Sequence, residues 1–123
     1  MAQHNKLGSW GEQLVVDYLA TQGYAIAERN WRLNHLEIDI VATRGDEIAF
    51  VEVKTRRNPG DNPLQAISPR KINNLCAAAN AYLTSKRSRL RPRFDVAAVN
   101  GTPDHHTLTY LPDAFRPPLR TYR

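Results

Sequence analysis

Two acidic residues and one lysine, on neighbouring segments with strand character, are the residues of this sequence whose spacing suits chemistry. Glu52 and Lys54 lie two positions apart in the segment from Glu47 to Arg56, where Ile, Phe and Val favour a β-strand. Side chains two positions apart in a strand point to the same face, so this charged pair shares a face. A charge in an apolar strand is costly unless it is paired or holds a metal. The segment is therefore a candidate functional strand.

Asp39 provides a second carboxylate on the preceding predicted strand, residues 36–43. The turn is centred near Gly45-Asp46, so the two strands form a hairpin in which Asp39 and Glu52 come close to opposite each other. Two converging carboxylates repel each other unless a cation neutralises them. Oxygen ligands select a hard divalent ion, Mg²⁺ or Mn²⁺, and the peptide carbonyl of Val53 could supply a further oxygen.

This arrangement predicts phosphodiester hydrolysis. A divalent ion can bind a phosphate oxygen and lower the pKa of its bound water. Lys54 would position or deprotonate the attacking water, or stabilise the charge that builds on phosphorus. The alternative is an exposed ion pair, because Glu-x-Lys is common on strands. Asp39 across the hairpin and Glu12 on the first helix favour the functional interpretation.

Two amphipathic helices are predicted to position these strands. Apolar residues recur at helical spacing over residues 7–22, and Gly23 marks the end of the helix. Glu12 falls at the margin of the apolar stripe, where it is either a solvated flank or reaches over the edge of the packed surface. The second helix begins near Ser68, a suitable N-cap, with Pro69 at its first position.

The order of elements is a helix, three strands, a helix, and one or two strands. This order predicts an α/β fold with a central sheet covered by helices. We expect a single domain over residues 1–111 and an irregular tail over residues 112–123, which contain three prolines and three arginines. Asn100-Gly101 is predicted to be a turn. The other predicted strands are residues 24–32, 93–99 and 107–111. The hairpin is followed by a predicted loop, residues 56–63.

Positive charge is concentrated in the second half of the chain. The net charge is +5; residues 1–61 carry 7 basic and 9 acidic residues, and residues 62–123 carry 10 basic and 3 acidic residues. This asymmetry favours a polyanionic partner, nucleic acid, although a solubilising loop is the alternative. Lys71 lies in a first helical turn, where the helix dipole disfavours a cation and favours an anionic ligand. The residues expected to contact phosphates are Arg56, Arg57, Lys71 and the run from Lys86 to Arg93, including Arg87, Arg89 and Arg91.

Several other classes of protein receive no support from the sequence. No apolar run is as long as a transmembrane helix, and the first residues lack the apolar core of a signal peptide. We therefore expect a cytoplasmic protein with no membrane partner. The single cysteine, Cys76, is expected to be a buried structural thiol. No Cys/His cluster has zinc-ligand spacing, and no Gly-rich phosphate loop follows a predicted strand.

Four motifs carry a family resemblance. They are G-x-x-G-E (Gly8, Gly11, Glu12), E-I-D (Glu37–Asp39), F-V-E-V-K-x-R (Phe50–Arg56) and R-F-D-V (Arg93–Val96). Together they resemble the bacterial YraN-like uncharacterised protein family, which is similar to the PD-(D/E)XK nuclease superfamily and nearest to archaeal Holliday-junction resolvases. The sequence departs from the superfamily at Ile38, where the motif has proline, and from the family at Leu36, where glycine is usual.

The resemblance implies a restriction-endonuclease-like core with a mixed central sheet flanked by helices, in the order α-β-β-β-α-β-β. It implies that Asp39 is the metal-binding aspartate, Glu52 the second acid, Lys54 the lysine and Glu12 the acid of the first helix. These four are the candidate catalytic residues, and Asp39, Glu52, Glu12 and the carbonyl of Val53 are the candidate metal ligands. Lys71 and Gln65 fall where such folds place a polar residue of the second helix.

The expected function is that of a Mg²⁺- or Mn²⁺-dependent endonuclease acting on DNA, including branched DNA. Resolvases cut two strands symmetrically, so the resemblance also implies a homodimer. Both DNA and RNA remain open as the substrate at this point. Two alternatives remain: a non-catalytic nucleic-acid-binding protein that retains the nuclease fold, and an interaction domain whose acids form structural ion pairs.

Overall fold

The computed structural model describes residues 6–57 and 67–117, in which two helices and five strands follow one another in the predicted order α-β-β-β-α-β-β. The α/β class is therefore confirmed. Most of the predicted loop over 56–63, the residue Gln65 and the end of the predicted tail lie outside the described residues. The elements are α1 (Lys6–Thr21), β1 (Ala25–Leu33), β2 (Leu36–Arg44), β3 (Glu47–Arg56), α2 (Pro69–Lys86), β4 (Arg91–Thr102) and β5 (His105–Phe115).

The strands form one mixed sheet in the order β1-β2-β3-β4-β5. Strands β3 and β4 are parallel, and the other neighbours are antiparallel. A parallel pair needs a crossover connection, which here contains α2. The predicted β2–β3 hairpin is confirmed: Arg44 pairs with Glu47 across Gly45-Asp46, and Gly45 has a φ of 61°, a conformation that glycine adopts without strain.

The helices cover opposite faces of the sheet, and β3 is buried between them. Ala49 and Val51 contact the core under α1, whereas Ile48 and Phe50 contact the core under α2. A strand that is covered on both faces has a continuous apolar sequence, which explains why residues 48–51 are all apolar. Glu52 follows directly on this run, so the fold places its carboxylate at the boundary of the buried core.

Helix ends follow the sequence signals. Gly23, with a φ of 87°, lies in the turn that directly follows α1, as expected. The side chain of Ser68 accepts a hydrogen bond from the backbone N–H of Lys71 at 3.1 Å, and Pro69 is the first residue of α2. Both predictions are confirmed. Within the described ranges, no helix is long and apolar enough to cross a membrane.

The last two strands are longer than predicted. The predicted turn at Asn100-Gly101 is wrong, because both residues lie in β4 and pair with Thr107 and His106 of β5. Gly101 has a φ of 115°, and a Cβ there would collide with the backbone of β5, so close strand approach requires this glycine. Strand β5 continues to Phe115, so residues 112–115, assigned to the tail by the sequence, belong to the sheet.

Candidate functional site

Strands β2 and β3 separate where the predicted carboxylates lie. Their ladder ends at the pair Ile40–Val51, and Asp39 and Glu52 are the next residues along each strand. This placement agrees with the predicted opposition of the two acids. The backbone N–H of Val53 donates instead to Oδ2 of Asp39, at 2.8 Å. The carboxylate of Asp39 therefore reaches across the gap and takes over a hydrogen bond that the neighbouring strand no longer makes.

Glu52 is almost completely buried, at 3% exposure, and is paired with a lysine of α2. Its Oε2 lies 3.7 Å from Nζ of Lys71. Burial raises the pKa of the Glu52 carboxyl, while the positive charges of Lys71 and then Lys54 oppose this effect. Lys54 lies two residues after Glu52 on the same strand and is half-buried, so both lysines stabilise the same carboxylate.

The pKa of Asp39 is raised to about 7. Burial is the main cause, the negative charge of Glu52 is the second, and Glu12 and Glu37 add smaller repulsions. The hydrogen bond from Val53 acts in the opposite direction, because it stabilises the ionised form. Near neutral pH, a positive charge bound here would therefore compete with a proton on Asp39.

Glu12 reaches this group because α1 approaches β3 closely. A Cβ at Gly11 would collide with the side chain of Thr55, so only glycine permits the observed contact between helix and strand. Glu12 follows and is 9% exposed, and its charge contributes to the raised pKa of Asp39. Of the two interpretations that the sequence left open, the structure supports a buried position rather than a solvated flank.

The donor chemistry of this group fits a hard divalent ion. Asp39, Glu52 and Glu12 are carboxylates, and their burial together with the repulsion of Asp39 by the other two favours a bound cation. The N–H of Val53 points to Asp39, and in an extended strand the carbonyl of the same residue faces the same neighbour, so this oxygen also borders the gap. Among residues 6–57 and 67–117, however, no three acidic, His or Cys side chains form a ready metal cage. An ion would compete with Lys71 for Glu52.

The basic residues divide between the two ends of the sheet. Parallel pairing joins Glu47 to Arg91 at one end of β3 and β4 and joins Arg56 to Asn100 at the other. Asp39 and Glu52 lie towards this second end, which we call the carboxylate end. Arg56, Arg57 and Lys71 are thus at the carboxylate end, as is Arg70. The run that begins at Lys86 lies towards the opposite end, next to the β2–β3 turn.

Two members of this run, besides Arg93, form ion pairs there. Lys86 lies 3.6 Å from Glu28, and Arg91 makes two hydrogen bonds of 3.0 Å to Asp46. Arg87 and Arg89 are exposed. The structure therefore does not bring the predicted phosphate-contacting run beside the predicted metal ligands.

Asp95 is a fully buried acid to which the sequence assigned no role of its own. It accepts hydrogen bonds from Arg93 at 2.9 and 2.7 Å, from the hydroxyl of Tyr110, and from the N–H of Asp113 at 2.9 Å. Burial, and then Asp95, raise the pKa of Tyr110 well above its usual value. Arg93 also donates to Glu47 at 3.0 Å, and its side chain is only 13% exposed. Its guanidinium group therefore stabilises the fold and is not placed to contact phosphates.

This network holds an irregularity of β5. Phe94 pairs with Phe115 and Val96 with Leu111, so β5 carries a bulge opposite Asp95. The carboxylate of Asp95 satisfies the N–H of Asp113 inside that bulge. The sequence signal was the R-x-D spacing, which places both side chains on one face of a strand.

Comparison with known proteins places this architecture in a family. The uncharacterised protein family UPF0102 matches residues 11–99. The chain belongs to UPF0102. This is the YraN-like group, so the family resemblance of the four motifs is confirmed. The match includes Glu12, Asp39, Glu52 and Lys54.

UPF0102 relatives match almost the whole chain. UPF0102 proteins of Bacteroides thetaiotaomicron and Bacteroides fragilis are 42% and 41% identical over 120 residues, which cover 97% of this chain and 99% of each relative. A UPF0102 protein of Chlorobium chlorochromatii is 41% identical over 117 residues, covering 89% of this chain and 91% of the relative. The chain and these UPF0102 proteins therefore have nearly the same extent.

Proposed function

We propose that this UPF0102 chain is a divalent-metal-dependent endonuclease with a PD-(D/E)XK-type core. One observation carries the proposal: Asp39, Glu52 and Glu12 come from three different elements towards one end of β3, and the charges of Glu52 and Glu12 both raise the pKa of the buried Asp39. Lys54 and Lys71 lie beside Glu52. A buried acid whose pKa is raised by neighbouring acids, with lysines close to one of them, is typical of a functional site rather than of a surface ion pair.

Asp39, Glu52, Glu12 and the carbonyl of Val53 would hold Mg²⁺ or Mn²⁺. When bound, such an ion polarises a phosphodiester and supplies a water of lowered pKa. The N–H of Val53 fixes the direction of the Asp39 carboxylate through its 2.8 Å hydrogen bond. Burial of Glu52 excludes water from one side of the site and strengthens every charge interaction there.

Lys54 would act on the reacting water and phosphate. Its positive charge opposes the rise that burial causes in the pKa of the Glu52 carboxyl, so its ammonium group lies within electrostatic range of that proposed ligand. From there it would position or deprotonate the water, or stabilise the negative charge that builds on phosphorus. Lys71 provides a second positive charge on the same side of Glu52.

The proposed substrate is DNA, including branched DNA. A net charge of +5 favours a polyanion, and exposed Arg57 and Arg70 lie at the carboxylate end of the sheet. Symmetric cutting of two strands would require two copies of the site, so we propose a homodimer as the active form. RNA of matched sequence is the competing substrate in the experiment below.

Cleavage of fluorescent nucleic acids tests this function. The purified chain is incubated with a four-way junction, linear duplex, single-stranded DNA and RNA, in Mg²⁺, in Mn²⁺ or in EDTA. We expect cleavage that needs a divalent ion and that falls by about a hundredfold or more in Asp39→Asn. Asp46→Asn is the matched control, because Asp46 lies in the turn of the same hairpin and, among the described residues, its carboxylate pairs with Arg91 at the far end of the sheet. Equal traces for wild type and Asp39→Asn on every substrate would reject the proposal.

A second candidate is a nucleic-acid-binding protein that retains the nuclease fold without catalysis. The pairing of Glu52 with Lys71, and the lack of a ready cage within the described ranges, favour this candidate. It predicts salt-sensitive binding that is unchanged when the carboxylates are replaced. Calorimetric titration with Mn²⁺ separates the two: heat that disappears in Asp39→Asn supports the endonuclease, and no heat in the wild type supports the binding protein.

A further inference from the structure

The β1–β2 hairpin has two irregularities: a register shift between Ile26 and Glu28, and the rung that contains Asp39. Arg29 pairs with Ile40 and Trp31 pairs with Ile38 in the same register, while Asn30 and Asp39 between them do not pair. Asn30 has a φ of 53°, in the left-handed region. A residue with this φ inside a strand is uncommon, and it interrupts the regular pleat.

In both strands, the alternation of side chains between the two faces of the sheet reverses at this rung. Ile40 belongs to the core under α1, whereas Ile38 belongs to the core under α2. On β1, Arg29 donates to Gln13 of α1 at 3.0 Å, whereas the Trp31 ring packs edge-on against Tyr82 of α2. Residues two apart in a regular strand share a face, so these opposite partners show that the alternation reverses at Asn30 and at Asp39.

The reversal explains how Asp39 reaches β3. In an unbroken strand, Asp39 would project towards one helical layer, as its neighbours do. Instead its carboxylate lies in the gap between β2 and β3 and accepts the hydrogen bond of Val53. The residue opposite Asp39 in the hairpin is Asn30, which supplies the unusual backbone conformation.

We propose that Asn30 is a positioning residue, whose left-handed backbone conformation directs the carboxylate of Asp39 towards β3. Asparagine tolerates this conformation better than other residues with a Cβ, apart from aspartate, and β-branched residues strongly disfavour it. Its Oδ1 is buried and accepts no hydrogen bond from any residue that the structure describes, so the side-chain oxygen does not anchor the site. The contribution of Asn30 therefore comes from its backbone. Its consequence for cleavage rests on the proposed endonuclease function, but its effect on Asp39 does not.

The backbone amide of Val53 reports directly on the position of Asp39. Its hydrogen exchange is measured by NMR for the wild type, Asn30→Ala and Asn30→Gly, together with thermal unfolding of each variant. Asn34→Ala is a matched control, because Asn34 has a φ of 56° in the turn of the same hairpin but does not face Asp39. We expect exchange of the Val53 amide to be about tenfold faster in Asn30→Ala and unchanged in Asn30→Gly and Asn34→Ala, since glycine keeps the left-handed conformation.

Two results would overturn the proposal. One is a folded Asn30→Ala protein in which the Val53 amide is as protected as in the wild type. The other is an Asn30→Gly protein in which that amide loses protection, because the side chain rather than the backbone would then be responsible. The glycine variant decides the question even if Asn30→Ala does not fold.

Cleavage provides the second measurement. We expect Asn30→Ala to lower kcat by about tenfold with little change in KM, and Asn30→Gly to retain the wild-type kcat, because Asn30 acts through Asp39 and not through substrate binding. If the wild type cleaves nothing, the proposed endonuclease function fails, while the Val53 amide still decides the role of Asn30.

Discussion

The Nζ of Lys71 lies 3.7 Å from Oε2 of Glu52, a carboxylate that is almost completely buried. Lys71 is in the first turn of α2, where the helix dipole disfavours a positive charge, and this turn contains no acidic residue. The helix alone therefore does not stabilise Lys71 at this position. Its charge is balanced across the interface by Glu52, so Lys71 serves as the counter-charge of that carboxylate when no divalent ion is bound.

Replacing Lys71 by methionine is expected to destabilise the metal-free protein. The change leaves Glu52 buried without its partner, which lowers the free energy of unfolding by about 1–2 kcal/mol in EDTA. This value is smaller than for a fully buried pair, because the Lys71 side chain is 39% exposed and solvent screens it. Urea denaturation measures the difference.

Arg70→Met is the control for this change, since Arg70 is exposed in the same helical turn. We expect it to alter stability by no more than about 0.5 kcal/mol. Adding Glu52→Gln to Lys71→Met should recover most of the loss, because no buried charge is then left unpaired. Equal stability of Lys71→Met and Arg70→Met would show that the ion pair is unimportant.

The raised pKa of Asp39 predicts how stability changes with pH. Burial, assisted by repulsion from Glu52, raises this pKa from 3.8 to about 7, so between these values the folded protein holds a proton that the unfolded chain has released. The stabilisation is complete below about pH 4 and is lost as the pH rises to about 7. Asp39→Asn stays neutral and still offers an oxygen to Val53. It should therefore be more stable than the wild type by about 2–4 kcal/mol at pH 8, and equally stable at about pH 4.

Denaturant titrations in EDTA between these pH values measure this difference. Asp46→Asn should behave in the opposite way, because Arg91 lowers the pKa of the exposed Asp46 carboxyl. The wild type then gains stability above the unfolded pKa, and the Asp46→Asn protein lacks that gain. A stability difference for Asp39→Asn that does not vary with pH would contradict the raised pKa.

Local sequence signals were sufficient for the hairpin that carries the site. The apolar run 48–51, the Gly45-Asp46 turn and the spacing of Glu52 predicted the strand, its partner and the opposition to Asp39, because each depends on neighbouring residues. The start of α2 at Ser68-Pro69 was predictable for the same reason. The position of Glu12 was not, since it depends on how closely α1 approaches Thr55 of a distant strand.

Other features had no local signal. The direction of β4 relative to β3 decides that Arg91 lies at the opposite end of the sheet from Arg56, and parallel pairing is set by the whole fold. Asn30 lies in a segment with ordinary strand composition, and nothing in its neighbours indicates a positive φ. The length of β4 was underestimated because Asn-Gly is a strong turn signal, here overridden by cross-strand contacts of Gly101.

Gly11→Ala tests the packing that brings Glu12 to the site. The added methyl group would collide with the side chain of Thr55, so α1 must shift away from β3. We expect a loss of about 1–3 kcal/mol in the free energy of unfolding, despite the higher helix propensity of alanine. Combining it with Thr55→Ala removes the colliding atoms and should restore part of the loss. Thermal and urea unfolding of the two single variants and the double variant measure the coupling, and simple additivity would show that the two residues do not interact.

Two pairs of arginines, one at each end of the sheet, test which end binds nucleic acid. Arg57 follows β3 and Arg70 opens α2 at the carboxylate end, whereas Arg87 and Arg89 follow α2 and are exposed near the opposite end. If nucleic acid binds over the carboxylates, Arg57→Ala/Arg70→Ala should weaken binding to a DNA duplex by about tenfold or more. The slope of log K against log salt should fall by about 2, since each of the two arginines would neutralise one phosphate.

Arg87→Ala/Arg89→Ala is the matched control, because it removes the same charge from the chain. We expect it to change the affinity by less than about threefold and to leave the salt slope nearly unchanged, since long-range attraction between exposed charges is screened by salt. Fluorescence anisotropy in EDTA, repeated over a range of KCl concentrations, measures both quantities without cleavage. A larger loss of affinity in the Arg87/Arg89 variant would place the nucleic acid at the opposite end of the sheet, away from Asp39 and Glu52, and would argue against a shared site for binding and cleavage.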